Sequence, residues 1–272
     1  MITKVISPRV ASPTAINIAH EIGVKRVRSS SAGFDFRGHT VLNWGLSVYI
    51  TNCIYNCLSN ADTIINQPVC VGVASNKADF LDAIGPTFGL ESTMDESVVL
   101  SWLNDGITVI CRETLTGYGG QGIHIIDPDE DEFNIEAILG DCGLFTKYFN
   151  GRYEFRVHVG KHSDGSYKPF SIQRKGLAHP EQNNSNSMVR NHENGYVFIR
   201  NENVKPESVQ QEHFDRMLAA CSLAIEIVGL DFAAIDVRMK RNGEFKILEA
   251  NTAPGLSGTT LEDYARFFRE NY

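Results

Sequence analysis

A chain of 272 residues, 42% hydrophobic and 21% charged, is long enough for one large domain or two to three small lobes, and its composition is that of an ordinary globular protein. The formal charge of −8 argues against a protein whose main task is to coat nucleic acid. No window approaches the roughly 20 apolar residues of a membrane span, the N-terminus lacks a signal-peptide core, and the six scattered cysteines read as buried thiols of a reducing compartment, so a cytoplasmic location is expected.

Residues 1–75 alternate short apolar runs ("KVISPRV", "VLNWGLSVYI", "TIINQPVCVGVA") with a helical stretch near 13–22, the pattern of a small α/β unit. Cys53 and Cys57 lie one helical turn apart here, inside "YITNCIYNCL". Ser75 is placed to cap a helix over "NKADFLDAIG", and Asp95 to open another over "ESVVLSWLND". "GITVICRE", "GIHIID" and "LFTKYF" are β-type runs, followed by the strands "YEFRVHVG" and "YKPFSIQRK" and an Asn-rich loop over 179–195. A helix from Glu207 to Val228 carries Met217, Leu218, Cys221, Ile225 and Val228 at helical spacing. "GLDFAAIDVRMKRNGEFKILEA" then forms a hairpin, and "TTLEDYARFFREN" a last helix.

Three constellations carry polar residues off apolar elements. With Asn242-Gly243 as a two-residue turn, Arg241 faces Glu244, Asp236 lies across from Glu249, and Ala234 lies across from Asn251. Alternation puts Asp236, Arg238, Glu249 and Asn251 on one face and Ile235, Val237, Leu248 and Ala250 on the other. Two opposed carboxylates repel, which makes sense with a divalent cation between them and Asn251 as a further oxygen ligand; a solvated hairpin face diluted by Arg238 and Lys240 reads equally well. In "RETLTGYGGQGIHII" the glycines Gly117, Gly119 and Gly122 match G-x-G-x-x-G but pass from strand to strand, so they are either a phosphate-covering flap or a glycine-rich hairpin turn. Glu154, Arg156 and His158 share one face of "YEFRVHV", an exposed sheet face unless it lines the same cleft as Asp236 and Glu249. Arg112 before the flap and Lys77 in the first turn of its helix are either phosphate contacts or surface cations. The eight histidines form no zinc-ligand spacing, and no G-x-S-x-G or kinase H-R-D set is present.

In this order the pieces resemble the ATP-grasp superfamily of carboxylate–amine ligases over roughly residues 66–264, most specifically in "AAIDVRM" and "FKILEANTAPGLSGTTLEDYA". The wording, including "LNWG" and "INQP", also looks like small ATP-grasp proteins of phages and bacteria. The resemblance implies an α/β fold with α+β lobes: an N-terminal unit (1–75), a central lobe with the flap (76–145), and a C-terminal lobe (146–272) carrying the Mg and phosphate site. ATP is then clasped between the two lobes. Asp236, Glu249 and Asn251 are implied as ligands of one or two Mg2+, with Mn2+ as a substitute. Lys77, Arg112, the flap residues Gly117, Tyr118, Gly119, Gly120 and Gly122, Glu154 and Asn191 are implied around the nucleotide, and Lys147 and Tyr148 as its adenine hinge. Arg156, Arg238, Lys175 and Arg190 are implied as the catalytic cations on transferring phosphate. Two departures stand out: Arg112 replaces the usual lysine before the flap, and Lys147 sits where many relatives have an acid.

The implied reaction joins a small-molecule or peptide carboxylate to an amine through an acyl phosphate, at the expense of ATP. A small-molecule kinase and a non-catalytic nucleotide-binding protein are the alternatives. Arg9, Arg26, Arg28, Arg37, Arg190 and Arg200 are candidates for an acidic substrate or ordinary surface charge; no membrane or nucleic-acid partner is expected, and the sequence sets no oligomeric state.

Overall fold

The first apolar runs become β1 (Lys4–Ser7), β2 (Lys25–Arg28), β3 (Thr40–Asn43) and β4 (Thr63–Ile65), a parallel sheet of order β2-β1-β3-β4. The structure, a computed structural model, describes residues 1–8, 12–28, 34–48, 58–116, 122–179, 188–190, 194–200 and 204–272. The crossover helix α1 (Pro13–Glu21) starts at Ser12, whose hydroxyl accepts from the Ala15 N–H. The run "TIINQPVCVGVA" is a strand only as far as Ile65. From Pro68 it is helix α2 (Pro68–Ser75), started by a proline whose missing N–H costs nothing in a first turn.

Ser75 is the last residue of α2 and not a cap. Asn76 caps α3 (Lys77–Phe88), its Oδ1 accepting from the N–H groups of Ala78 and Asp79 at 3.0 and 3.4 Å. Both helices pack with α6 (Gln211–Val228), through Val71, Phe80, Leu81, Met217 and Ile225, beneath the C-terminal sheet.

The central sheet has order β5-β8-β6-β7: β5 (Ser92–Thr93), β6 (Val109–Arg112), β7 (Ile123–Ile126) and β8 (Leu144–Lys147), antiparallel throughout. Its core is closed by α4 (Glu96–Asn104), capped by Asp95 as expected, and by α5 (Glu132–Asp141), which the reading above missed. Ile135, Ile138, Leu139 and Cys142 follow helical spacing there and were the available signal.

The C-terminal sheet runs β11-β10-β9-β12-β13, with β9 (Tyr153–Lys161), β10 (Tyr167–Leu177), β11 (Tyr196–Ile199), β12 (Phe232–Met239) and β13 (Phe245–Asn251). Phe155, Val157, Ile235, Val237 and Ile247 face the core, and α7 (Thr259–Asn271) packs towards the N-terminal unit.

Asp236 does lie opposite Glu249, and Ala234 opposite Asn251, but through two compensating departures. The turn holds three residues: the Lys240 N–H donates to Glu244 O, and Gly243 takes φ +85, the left-handed position that favours glycine. Lys240, not Arg241, therefore faces Glu244, and the pairing runs one residue out of step as far as Val237–Ile247. A bulge at Leu248 then restores it. Because a bulge gives consecutive residues one face, Leu248 lines the same cavity as Glu249 while still packing against the core cluster of Ile235 and Val237.

The N-terminal unit is fastened to the C-terminal sheet. Asn66, at φ 63, donates from Nδ2 to Phe232 O and accepts at Oδ1 from the N–H groups of Asp231 and Phe232. Its own N–H donates to Asp231 Oδ2. Asn43 Nδ2 donates to Asn66 O, and Trp44 stacks on Phe232 at 5.4 Å. "INQP" and "LNWG" are the two halves of this joint.

Candidate active site

In-register pairing turns single residues on five strands into two polar rows. Gln173, Arg156, Asp236 and Glu249 stand side by side across β10, β9, β12 and β13. Phe198, Lys175, Glu154 and Arg238 form the next row across β11, β10, β9 and β12. Charges alternate along most of both rows. Where they do not, at Asp236 and Glu249, cations close from either side. Arg156 clamps Asp236 through two parallel bonds, Nε–Oδ1 at 2.6 Å and Nη2–Oδ2 at 2.7 Å. Lys77, from the first turn of α3, pairs with Glu249 Oε2 at 3.0 Å. Asn251 Nδ2 donates to Glu249 Oε1 at 3.3 Å. The cation misplaced at a helix N-terminus thus has its reason.

Burial by itself would raise the Asp236 carboxyl, but the Arg156 and Lys175 charges outweigh it and hold Asp236 at about 2. Glu249 is likewise lowered, burial and the Asp236 charge being overcome by Lys77 and Arg156. Glu154, 3% exposed at its side chain, accepts from Lys175 Nζ and from Arg238 Nη2 at 2.7 Å. Lys175, which burial would lower, is raised instead by Asp236 and Glu154. Phe198 lies under Arg156, 4.8 Å from its guanidinium carbon.

These rows floor a cavity of about 530 Å³. Leu90, Ile110, Thr146 and Leu248 give it an apolar side, and Thr114 and Ile123 bring in the base of the β6–β7 hairpin. Among its described lining residues are eight cations, Lys77, Arg112, Lys147, Arg156, Lys175, Arg190, Arg200 and Arg238, against three carboxylates, Glu154, Asp236 and Glu249. Such a surplus, in a walled cleft, focuses a positive potential on a polyanion. The Arg112 guanidinium makes no hydrogen bond or ion pair among the described residues, and burial lowers it.

Other expected residues fall differently. Lys147 is paired with Glu91 at 2.9 Å, which sets a carboxylate beside position 147. The N–H groups of Lys147 and Tyr148 donate to Glu91 O and Thr108 O, and both residues line the cavity. Arg190 spans to Gly151 O and Arg152 O at the cavity wall, and burial lowers it. Gly122 sits at the flap base with φ 62, its carbonyl accepting from the Glu113 N–H. Gly117, Tyr118, Gly119, Gly120, Asn191, Arg9, Cys53, Cys57 and most of the 179–195 loop lie outside the described residues. His158 shares its strand face with Arg156 but is sealed off: fully buried, Nδ1 bonded to Tyr264 OH at 3.0 Å, it is pushed to about 3 by burial and Arg156. Arg37 pairs with exposed Asp35, Arg26 donates to Ser7 Oγ, and Arg28 is exposed. Sequence reasoning missed Phe198, Glu91 and Leu248; a lone aromatic, a loop acid and a bulge leave no pattern to find.

Among the described residues no group of three or more His, Cys, Asp and Glu side chains forms a metal cluster. Asp236, Glu249 and Asn251 offer only oxygen donors, two carboxylates and an amide, on one side of the hairpin. That set suits a hard cation shared with phosphate oxygens better than a metal caged by protein alone.

The sequence matches no family model and no curated protein. Solved structures do match. The ATP-grasp ligase PsnB with a minimal precursor superposes with a TM-score of 0.66 at 13% identity, over 94% of this chain and 92% of that one. D-alanyl-alanine synthetase A from Vibrio cholerae gives 0.65 at 12% identity, over 99% and 94%. A RiPP-associated ATP-grasp ligase from Chryseobacterium gregarium, in complex with ADP and a leader and core peptide, gives 0.65 at 12%, over 99% and 96%. With its three sheets in that arrangement, this chain has the ATP-grasp fold.

Proposed function

We propose that the chain is an ATP-dependent carboxylate–amine ligase that forms an amide or peptide-like bond. The observation that carries the reading is the cation-rich cavity floored by the opposed pair Asp236 and Glu249. Two further facts support it: solved structures of this fold are described as ligases, and one PsnB structure holds Mg and ADP.

In the first step a carboxylate oxygen attacks the γ-phosphorus of ATP in line, the bond to the β-phosphate oxygen breaks, and ADP leaves. In the second, an amine attacks the acyl phosphate carbon, phosphate departs with the electron pair of its bond, and the amine proton passes to water. Asp236, Glu249 and Asn251 would hold one or two Mg2+, or Mn2+ in its place, which neutralise charge between the phosphates. Arg156 and Lys77, paired with those acids, are the cations nearest to take up phosphate oxygens; Lys175, Arg238 and Arg190 line the wall beside them. Arg112 approaches from the flap side with donors to spare, and Leu90, Ile110 and Leu248 offer an apolar slot for a purine ring. This chemistry rests on position and charge neutralisation and needs no covalent protein nucleophile. The reading includes three working units, 1–75, 76–145 and 146–272, and a cytoplasmic location.

The test is incubation with Mg-ATP, hydroxylamine and a panel of amino acids and peptides. ADP and an acyl hydroxamate are expected, and Glu249→Ala abolishes ADP formation while leaving the thermal unfolding midpoint near wild type. Wild-type turnover in that variant would sink the metal assignment. Phosphate retained on an organic product would make the enzyme a kinase, and binding of Mg-ATP without any turnover would make it a non-catalytic binder.

A further inference from the structure

Arg200 lies where two cavities meet. It lines the first beside Ser257, and it also lines a second of about 560 Å³ at the β10–β11 edge of the C-terminal sheet. The second cavity has apolar walls, from Phe170, Ile172, Val204 and Phe214, and charged groups from Arg200, Lys205 and Asp263. Asp263 is already matched, its Oδ1 accepting from Arg266 at 2.5 Å. Lys205 Nζ donates to Val209 O at 2.8 Å, which leaves it two donors. Arg200 donates from Nη2 to Ser257 Oγ at 3.1 Å, while its Nε is buried without an acceptor. No carboxylate among the described residues pairs with it. Beyond the Ser257 bond the guanidinium keeps further N–H donors, and the ligand group whose two oxygens match a guanidinium fork is a carboxylate.

We propose that Arg200 anchors the carboxylate of the amine substrate, an α-amino acid whose apolar side chain occupies the second cavity and whose amine faces the first. The assignment rests on the ligase reading above and names its acceptor. In an α-amino acid one carbon separates carboxylate from amine, so a carboxylate held at the shared wall keeps the nucleophile at the boundary of the first cavity. The acid to be phosphorylated belongs elsewhere, beside Arg156 and Asp236. Lys205 adds charge on the far side of the groove, and the apolar walls leave the amino-acid side chain without a polar partner.

The experiment titrates the full chain, in the presence of Mg2+ and a non-hydrolysable ATP analogue, with leucine and phenylalanine in both enantiomers and with their carboxamides, by calorimetry. At least one amino acid binds, and its carboxamide binds tenfold or more weakly. Arg200→Gln weakens the amino acid at least tenfold and no longer separates it from the amide; Arg200→Lys falls between. Thr259→Glu, an exposed substitution that sets a carboxylate at the groove, also weakens binding tenfold or more. The proposal is overturned if none of the four amino acids binds, if the amide binds equally well, or if Arg200→Gln keeps wild-type affinity. Hydroxamate formation by the wild-type chain uses hydroxylamine in place of the amine and so tests the ligase reading separately from Arg200.

Discussion

Replacing Arg156 by methionine keeps most of the packing volume over Phe198 but leaves Asp236, 4% exposed at its side chain, without its bidentate partner. In the wild type a carboxyl held at about 2 against an ordinary 3.8 contributes about 2 kcal/mol of stability. That contribution is fully present above pH 3.8 and is lost as pH falls through 2. Removing one partner of a buried ion pair costs about 3–5 kcal/mol. The lower end applies here because Lys175 Nζ stays 3.7 Å from Asp236 Oδ2. With Arg156 gone, burial dominates, the Asp236 carboxyl moves above its ordinary value, and the sign reverses: the penalty at neutral pH is relieved as pH falls and the carboxyl takes up a proton. Urea unfolding of the ligand-free protein at pH 7.5 and pH 5 measures both effects. The gap between wild type and Arg156→Met should be about 3 kcal/mol at pH 7.5 and narrow by about 1 kcal/mol at pH 5. The double variant Arg156→Met/Asp236→Leu, with no charge left unpaired, should recover most of the loss. A gap below about 1 kcal/mol, the worth of a surface pair, or one independent of pH would refute the argument.

Gly45 holds φ +84, and a Cβ there would lie 2.7 Å from the Ala253 Cβ in the "ANTAPG" turn. Gly45→Ala should cost about 2 kcal/mol or more and raise the KM for Mg-ATP; adding Ala253→Gly should remove the clash but not the backbone strain, so only part of the thermal midpoint returns. His158, whose value is depressed to about 3, adds stability above pH 6.5 that is lost as pH falls towards 3. A His158→Gln variant should show a shallower fall in unfolding free energy between pH 6 and pH 4, measured by denaturant titration.

The site was largely readable because strand alternation and one Asn-Gly turn fix which side chains share a face. Asp236 and Glu249 were placed opposite each other correctly, although the turn has three residues and a bulge absorbs the difference. Neither could be read: glycine at the left-handed position reads alike in both turns, and a bulge has no composition of its own. Helix α2 stayed hidden because "VCVGVA" is apolar on all sides, which erases the 3.6-residue period. The alternation in "YEFRVHV" put Glu154, Arg156 and His158 on one face but not in a cleft; the first two line the cavity, and the packing of Tyr264 shuts His158 away. Pairings between distant elements, Lys77 with Glu249 or Lys147 with Glu91, depend on tertiary approach that no local spacing records.

The joint at Asn66 has a mechanical meaning. It fastens the N-terminal sheet to the C-terminal sheet through the Asn66 side-chain amide, which bonds the Asp231 and Phe232 backbone, with Trp44 and Phe232 stacked behind it and Arg269 reaching Glu21 O at the far side. The end of α3 is pinned as well, where Gly89 bridges Ile247 and Lys246 reaches Pro86 O. Two of the three sheets are therefore held as one body, and the β5-β8-β6-β7 sheet closes the cavity over it through Ile110, Arg112, Ile123 and Thr146. The two are tied at one point: the Lys77 N–H donates to Leu115 O at 2.9 Å, so the backbone of the residue that holds Glu249 also meets the segment leading out of β6 towards the glycine cluster.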